Sequence, residues 1–194
     1  MQRLLRVMPS LLLASILASG CQPVLSDSPM TEDQLTVYRS FLDLFSSLPW
    51  HNLANRTAPF DLRGVSEDNA CLRGIEFENL RMSRRTIHAF SPEITKGREL
   101  KLVDPLEQAK ILQREDVSPD GQKGQSKEES DRIMSKFGFL ELSEIAFDKK
   151  HQFAVLRFRF FCGSRCKTSE TLVMEKVGNE WSNKTRRACA AFIN

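Results

Sequence analysis

Between positions 31 and 48 the apolar residues of this chain recur at helical spacing. Leu35, Val37, Tyr38, Phe41, Leu42, Leu44, Phe45 and Leu48 fall on one half of a helical wheel. Thr36, Arg39, Ser40, Asp43, Ser46 and Ser47 take the other half. A half-circle of apolar side chains suits a helix lying on a sheet rather than the narrow seam of a coiled coil. Thr31 as N-cap and Gln34 three residues on form a capping box, and Pro49 closes the run. The pattern therefore predicts a helix over 32–48.

The last third of the chain alternates instead. Ala154, Leu156, Phe158 and Phe160 are interleaved with Arg157 and Arg159, so one face of that strand is core and the other partly wet. Runs over 140–147, 152–161, 169–177 and 180–185 read as four consecutive strands. They are separated by Asp148-Lys149-Lys150-His151, by the Cys162 to Cys166 loop and by Gly178-Asn179. The expectation is a four-stranded antiparallel meander.

The middle is less patterned. A short strand is expected within 51–59, and further short elements within 70–77 and 86–90. A modest helix over 105–114 carries Leu106 and Ala109, with Ile111, on one side. The polar stretch 117–129, with Pro119, Gly121 and Gly124, reads as an exposed loop, and 130–137 as a short helix stopped by Gly138. The fold class implied is α+β: one domain over 31–194, with the N-terminal amphipathic helix packed on the C-terminal meander.

Ahead of that domain lies a segment of a different kind. Arg3 and Arg6 precede the apolar run Leu11 to Leu17, and Ala18, Ser19 and Gly20 are small residues placed before Cys21. This is the layout of a secretory signal. The apolar run is too short for the roughly 20 helical residues a bilayer core requires. A thiol directly after three small residues resembles the bacterial lipobox. There the cysteine takes a diacylglycerol thioether and becomes the new N-terminus, so residues 1–20 are the signal peptide and 21–30 the lipidated cysteine and tether. The stretch from Pro23 to Pro29, with Ser26, Asp27 and Ser28, reads as flexible. In lipoproteins an Asp after the modified cysteine marks inner-membrane retention. Gln22 stands here, which points to the periplasmic face of the outer membrane in a Gram-negative host. Ordinary cleavage near Ser19 or Gly20 is the alternative, and it would give a soluble secreted or periplasmic protein.

Loss of the signal removes Arg3 and Arg6 and no acid, so net charge falls from +3 to +1. Mixed charges at near-neutral balance are no footprint for nucleic acid. Without Cys21 four cysteines remain, an even number in an oxidising compartment, and two disulfides are expected. Three pairings are open. The preferred one closes Cys162 with Cys166 locally and joins Cys71 to Cys189. That second bridge closes a long loop, a contribution of roughly 4 kcal/mol by chain entropy.

Catalytic motifs are wanting. A redox dithiol prefers two intervening residues at a helix N-terminus, whereas Cys162 and Cys166 have three and sit between strands. Zinc would need those two cysteines and two further ligands from Cys71, Cys189 or a histidine, and no second close pair exists. His51, His88 and His151 show no ligand spacing, and His151 in a turn reads as solvated. No Gly-x-Ser-x-Gly elbow or phosphate-binding glycine loop is present, although a triad can be assembled in space. Neither metal nor cofactor is implied.

Arg157 and Arg159 project from one strand face. They read either as an anion-binding pair, since guanidinium forks suit carboxylates, or as a solvated face balanced by Glu141 or Glu175. Arg81, Arg84 and Arg85 read as exposed surface.

Two sets of residues carry a wider resemblance. The first is Leu35 to Phe45 with Asn55-Arg56-Thr57 and Cys71-Leu72-Arg73-Gly74-Ile75. The second is Ile145-Ala146-Phe147-Asp148 with Ala154-Val155-Leu156, Cys162-Gly163, Cys166 and Trp181. Together they resemble an uncharacterised family of small exported bacterial proteins. The resemblance implies an exported α+β domain and brings no activity with it. Lys167 departs from it, standing where similar sequences often place glycine. Two functional classes follow: a non-catalytic envelope lipoprotein that binds a protein or other envelope ligand, or an envelope enzyme, either a thiol redox protein or a hydrolase.

Overall fold

The computed structural model describes residues 23–46, 51–60, 75–78, 85–114, 126–161 and 167–183. It opens with β1 (Val24–Leu25), within the stretch expected to be a tether. Helix α1 (Glu32–Leu44) follows, and its capping box is formed: Thr31 N–H donates to Gln34 Oε1 at 2.8 Å and Gln34 N–H to Thr31 Oγ1 at 3.2 Å. The helix stops at Leu44, short of the expected Leu48. Phe45 N–H still reaches Phe41 O at 3.2 Å, and the Ser46 hydroxyl takes Asp43 O at 2.9 Å, so the last carbonyls are satisfied without another turn. Val37, Tyr38, Phe41 and Leu42 are buried, whereas Leu44 is half exposed.

The remaining elements are β2 (Asn52–Ala54), β3 (Thr86–Ile87), a 3₁₀ turn (Pro92–Thr95), β4 (Lys101–Val103), α2 (Pro105–Arg114) and α3 (Lys127–Phe137). Five strands complete the described chain: β5 (Phe139–Leu142), β6 (Ala146–Phe147), β7 (Phe153–Phe161), β8 (Lys167–Val177) and β9 (Glu180–Asn183). Helix α3 begins at Lys127, inside the stretch expected to be loop. Helix α2 buries Gln108 and Leu112, one turn apart, and leaves Leu106 exposed.

The α+β architecture holds a larger sheet than a four-stranded antiparallel meander, and that expectation is corrected. Seven strands form one mixed sheet in the order β4-β2-β5-β7-β8-β9, with β6 also on β7. Strand β2 lies between β4 and β5 and runs parallel to both. The two N-terminal additions are three residues long, too short for alternation to show in sequence, and parallel pairing needs a crossover that local pattern does not reveal. All three residues of β2 are buried. Leu53 enters the core beneath α1, while Ala54 packs with Leu112 and Phe139 on the other face. Asn52 Nδ2 donates to Lys136 O at 3.1 Å and Gly138 O at 2.9 Å, and Gln108 Nε2 to Phe137 O at 2.6 Å. Side-chain amides from β2 and α2 thus satisfy carbonyls that the end of α3 leaves open.

The main core lies between α1 and one sheet face. It joins Tyr38, Phe41 and Leu42 to Leu140, Leu142, Leu156, Phe158, Met174 and Trp181. The opposite face is divided. Val155 and Val173 pack with Phe60 at one end, and Phe139 with Leu112 at the other. Arg157 and Arg159 lie between these apolar ends.

At the start of α1 Asp33 clasps the sheet, its carboxylate 3.0 Å from His151 Nδ1 and 3.2 Å from Lys176 Nζ. His151 also stacks on Phe147, centroids 4.7 Å apart, so it is a packed turn residue rather than a merely solvated one. The hydrogen bond from His151 holds the Asp33 carboxyl below its ordinary value, with Lys176 adding to the effect and burial opposing it. The stabilisation this carries is present above the usual aspartate range near pH 4 and is lost as pH falls below it.

Candidate functional site

The run 140–147 is not one strand. Register places Leu142 opposite Phe158 and Ala146 opposite Val155, so three residues, Ser143 to Ile145, face two, Leu156 and Arg157. One extra residue is a β-bulge, a device that breaks the ladder and re-aims a side chain. The broken ladder is repaired locally. Ser143 Oγ accepts the Arg157 N–H at 2.8 Å and donates to Glu144 O at 2.7 Å. The Tyr38 hydroxyl, arriving from α1, donates to Ser143 O at 2.7 Å.

The bulge sets Glu144 inside the protein. Its side chain is 4% exposed, yet it is partnered. Thr57 Oγ1 donates to Glu144 Oε1, and His88 Nδ1 lies 2.9 Å from the same oxygen. The backbone fixes the cluster, because His88 N–H donates to Thr57 Oγ1 at 2.8 Å and Thr57 N–H to His88 O at 2.9 Å. A carboxylate only accepts, so the ring donates to it from Nδ1. An imidazole oriented by an acid is two-thirds of a hydrolytic triad. Among the described residues no nucleophile completes it. The Thr57 hydroxyl points its proton at Glu144 rather than at the ring, and the Ser143 hydroxyl is spent on backbone at both ends. The arrangement is that of a buried polar lock joining β2's extension, the segment after β3 and the bulge.

Sequence reasoning missed this cluster, since its members are 31 and 56 residues apart. Only the bulge brings them together. The one available signal was Glu144 standing in phase with the apolar Leu140 and Leu142.

Tyr38 reports on the same place. It has no exposed surface, and burial, aided by the nearby Glu144 charge, pushes its phenol well above the usual tyrosine value. It is the only tyrosine in the chain. Tyrosinate absorbance in an alkaline titration should therefore stay absent while the protein is folded and rise together with unfolding. The unfolded chain loses this proton near pH 10 and the folded one does not, so stability should fall above that pH by about 1.4 kcal/mol per unit. Ionisation near pH 10 in a chain whose circular dichroism is still native would contradict the burial of this hydroxyl.

The two arginines, read as either an anion-binding pair or a solvated face balanced by acids, do share a face, but they differ. Arg159 faces Glu141 across β5–β7, and its guanidinium is ion-paired with that carboxylate. Glu175 lies opposite Phe153, away from both arginines. Arg157 Nε donates to Ser169 Oγ at 2.8 Å, and Thr171 is its cross-strand neighbour on β8. Among the described residues the two terminal nitrogens of Arg157 have no hydrogen-bond partner. Charge balance thus absorbs Arg159 and leaves Arg157 half-buried with its fork open.

A hollow of about 300 Å³ lies between the end of α1 and residues 97–100, lined in part by Asp43, His51 and Arg98. Arg98 spends its donors on Asp43, at 3.0 and 2.7 Å, and on the carbonyls of Ile94 and Lys96. No acid–base pair converges there. Among the described residues no group of three or more His, Cys, Asp or Glu is placed to hold a metal ion, and no helix is long and apolar enough to cross a membrane. Cys21, Cys71, Cys162, Cys166 and Cys189 lie outside the described residues, so lipidation and both disulfide pairings rest on sequence.

Comparison with protein-family models, with curated proteins and with solved structures finds no match to this chain. The resemblance noted above therefore adds no residue or activity to the site.

Proposed function

We propose that this chain is an exported envelope lipoprotein, anchored through Cys21, whose domain binds an anionic group rather than catalysing a reaction. Arg157 carries this reading. Its guanidinium is partly buried, oriented through Ser169, and among the described residues has its terminal nitrogens unengaged beside Thr171. Apolar clusters on either side along the strands form shoulders to that charge. A guanidinium fork in such a setting recognises a carboxylate or phosphate bidentately, more strongly than a point charge in water. The bound hydroxyls of Thr57 and Ser143 support binding over hydrolysis. Disulfides joining Cys162 to Cys166 and Cys71 to Cys189 would staple the scaffold. The first suits a hairpin whose strands end at the cross-strand partners Phe161 and Lys167.

The test is a titration of the folded chain with inorganic phosphate and with octanoate, followed by nuclear magnetic resonance of the arginine Nε–H groups. The Arg157 signal should move saturably with one or both, and Arg157→Lys should bind at least about tenfold more weakly because it lacks the planar fork. Equal affinity in Arg157→Lys, or no movement of the Arg157 signal, would overturn the assignment. Intact mass of membrane-extracted protein tests the anchor separately. An acylated chain beginning at Cys21 is expected, and an unmodified Cys21 would show ordinary secretion.

A further inference from the structure

We propose that the β1 edge of the domain lies directly on the lipid surface, with Val24 and Leu25 entering the interface. The inference rests on the anchoring of Cys21 proposed above. Its first support is the length of the leash. Three residue steps separate Cys21 from Val24, and a chain so short spans at most about 11 Å even when fully extended. The headgroup layer on one side of a bilayer takes up about 5–7 Å of that reach. Little slack remains, so β1 is held at headgroup level whatever the rest of the domain does.

The second support is what β1 presents there. Val24 is 68% exposed and Leu25 52% exposed. Single exposed apolar residues such as Leu44, Leu106 and Val177 are ordinary on a protein surface. Val24 and Leu25 are the only adjacent pair of large exposed apolar side chains among the described residues.

The third support is that β1 belongs to the folded body. Val24 N–H donates to Arg85 O at 2.7 Å and Ser26 N–H to Ile87 O at 2.8 Å, in parallel register with β3. The segment after β3 is held in turn by Phe90 N–H on Asn55 O at 2.9 Å and by the bridge from Arg56 to Ala89. A membrane contact at β1 therefore sets the orientation of the domain, not just the position of its tail. The exposed charges beside the edge, Arg85 and Asp27, are of opposite sign, so the contact is apolar and needs no anionic lipid.

The experiment uses the full-length, membrane-processed chain. A benzophenone amino acid is placed in turn at positions 24 and 25, and at 106 and 177 as equally exposed apolar controls. After irradiation in envelopes, intact mass reports both the acyl groups on Cys21 and any phospholipid adduct. Adducts at 24 and 25, several-fold above 106 and 177, are expected, in zwitterionic as in anionic vesicles. An acylated chain with no excess at 24 and 25 would overturn the membrane contact while leaving the anchor intact. A chain without acyl groups would overturn the anchor, and the contact with it.

Discussion

Replacing His88 by alanine is expected to destabilise the domain by about 3 kcal/mol, because a buried acceptor is left short of a donor. The side chain of His88 is 13% exposed and that of Glu144 4%, so the carboxylate left behind has little access to water and keeps only Thr57 as a partner. The loss is much of a typical domain stability of about 5–15 kcal/mol. Urea unfolding of His88→Ala should show the midpoint drop with an unchanged slope. Removing both partners tests the mechanism. His88→Leu combined with Glu144→Leu should lose less than the two single changes added together, because neither group is left without its partner. Additive losses would mean that His88 and Glu144 act independently and that the lock between β2's extension and the bulge is not energetically real.

Phe41→Ala should be about as costly, at about 3–5 kcal/mol, because a large buried aromatic leaves a cavity that its neighbours fill only in part. Phe41 has no exposed surface and sits 4.7 Å from the ring of Phe45 and 5.2 Å from that of Phe158, at the centre of the contact between α1 and the sheet. Leu44, three residues on and part of the same apolar half of the wheel, is 49% exposed. Leu44→Ala should therefore change stability by no more than about 0.5 kcal/mol. Calorimetry on the two variants separates them clearly. Similar losses from both would show that Leu44 too is buried and that the helix sits differently on the sheet.

The contrast between Phe41 and Leu44 marks how far the sequence could be read. Helical spacing placed both on one face, and the capping box set the start of α1 because those contacts span only three residues. The other end of the helix was decided by which apolar side chains found a partner. The arginine face divides in the same manner. Alternation along β7 put Arg157 and Arg159 together, and the acids able to balance them were evident, but only register showed that Glu141 meets Arg159 while Glu175 lies opposite Phe153. A one-residue bulge, which no local pattern announces, separates 139–142 from 146–147 and turns Glu144 toward His88.

By itself, then, the sequence determined the features that neighbours along the chain control. These are the signal-like N-terminus, the capped amphipathic helix, the hairpins of the last third and the absence of a catalytic motif within any short window. Tertiary structure alone decided the parallel insertion of β2 between β4 and β5, the docking of β1 on β3, the buried Thr57–His88–Glu144 lock and the pairing of Glu141 with Arg159 rather than Arg157. Each depends on residues tens of positions apart. Their meeting is set by the burial of distant apolar faces and by the need of every buried polar group for a partner, conditions that only the assembled chain can meet.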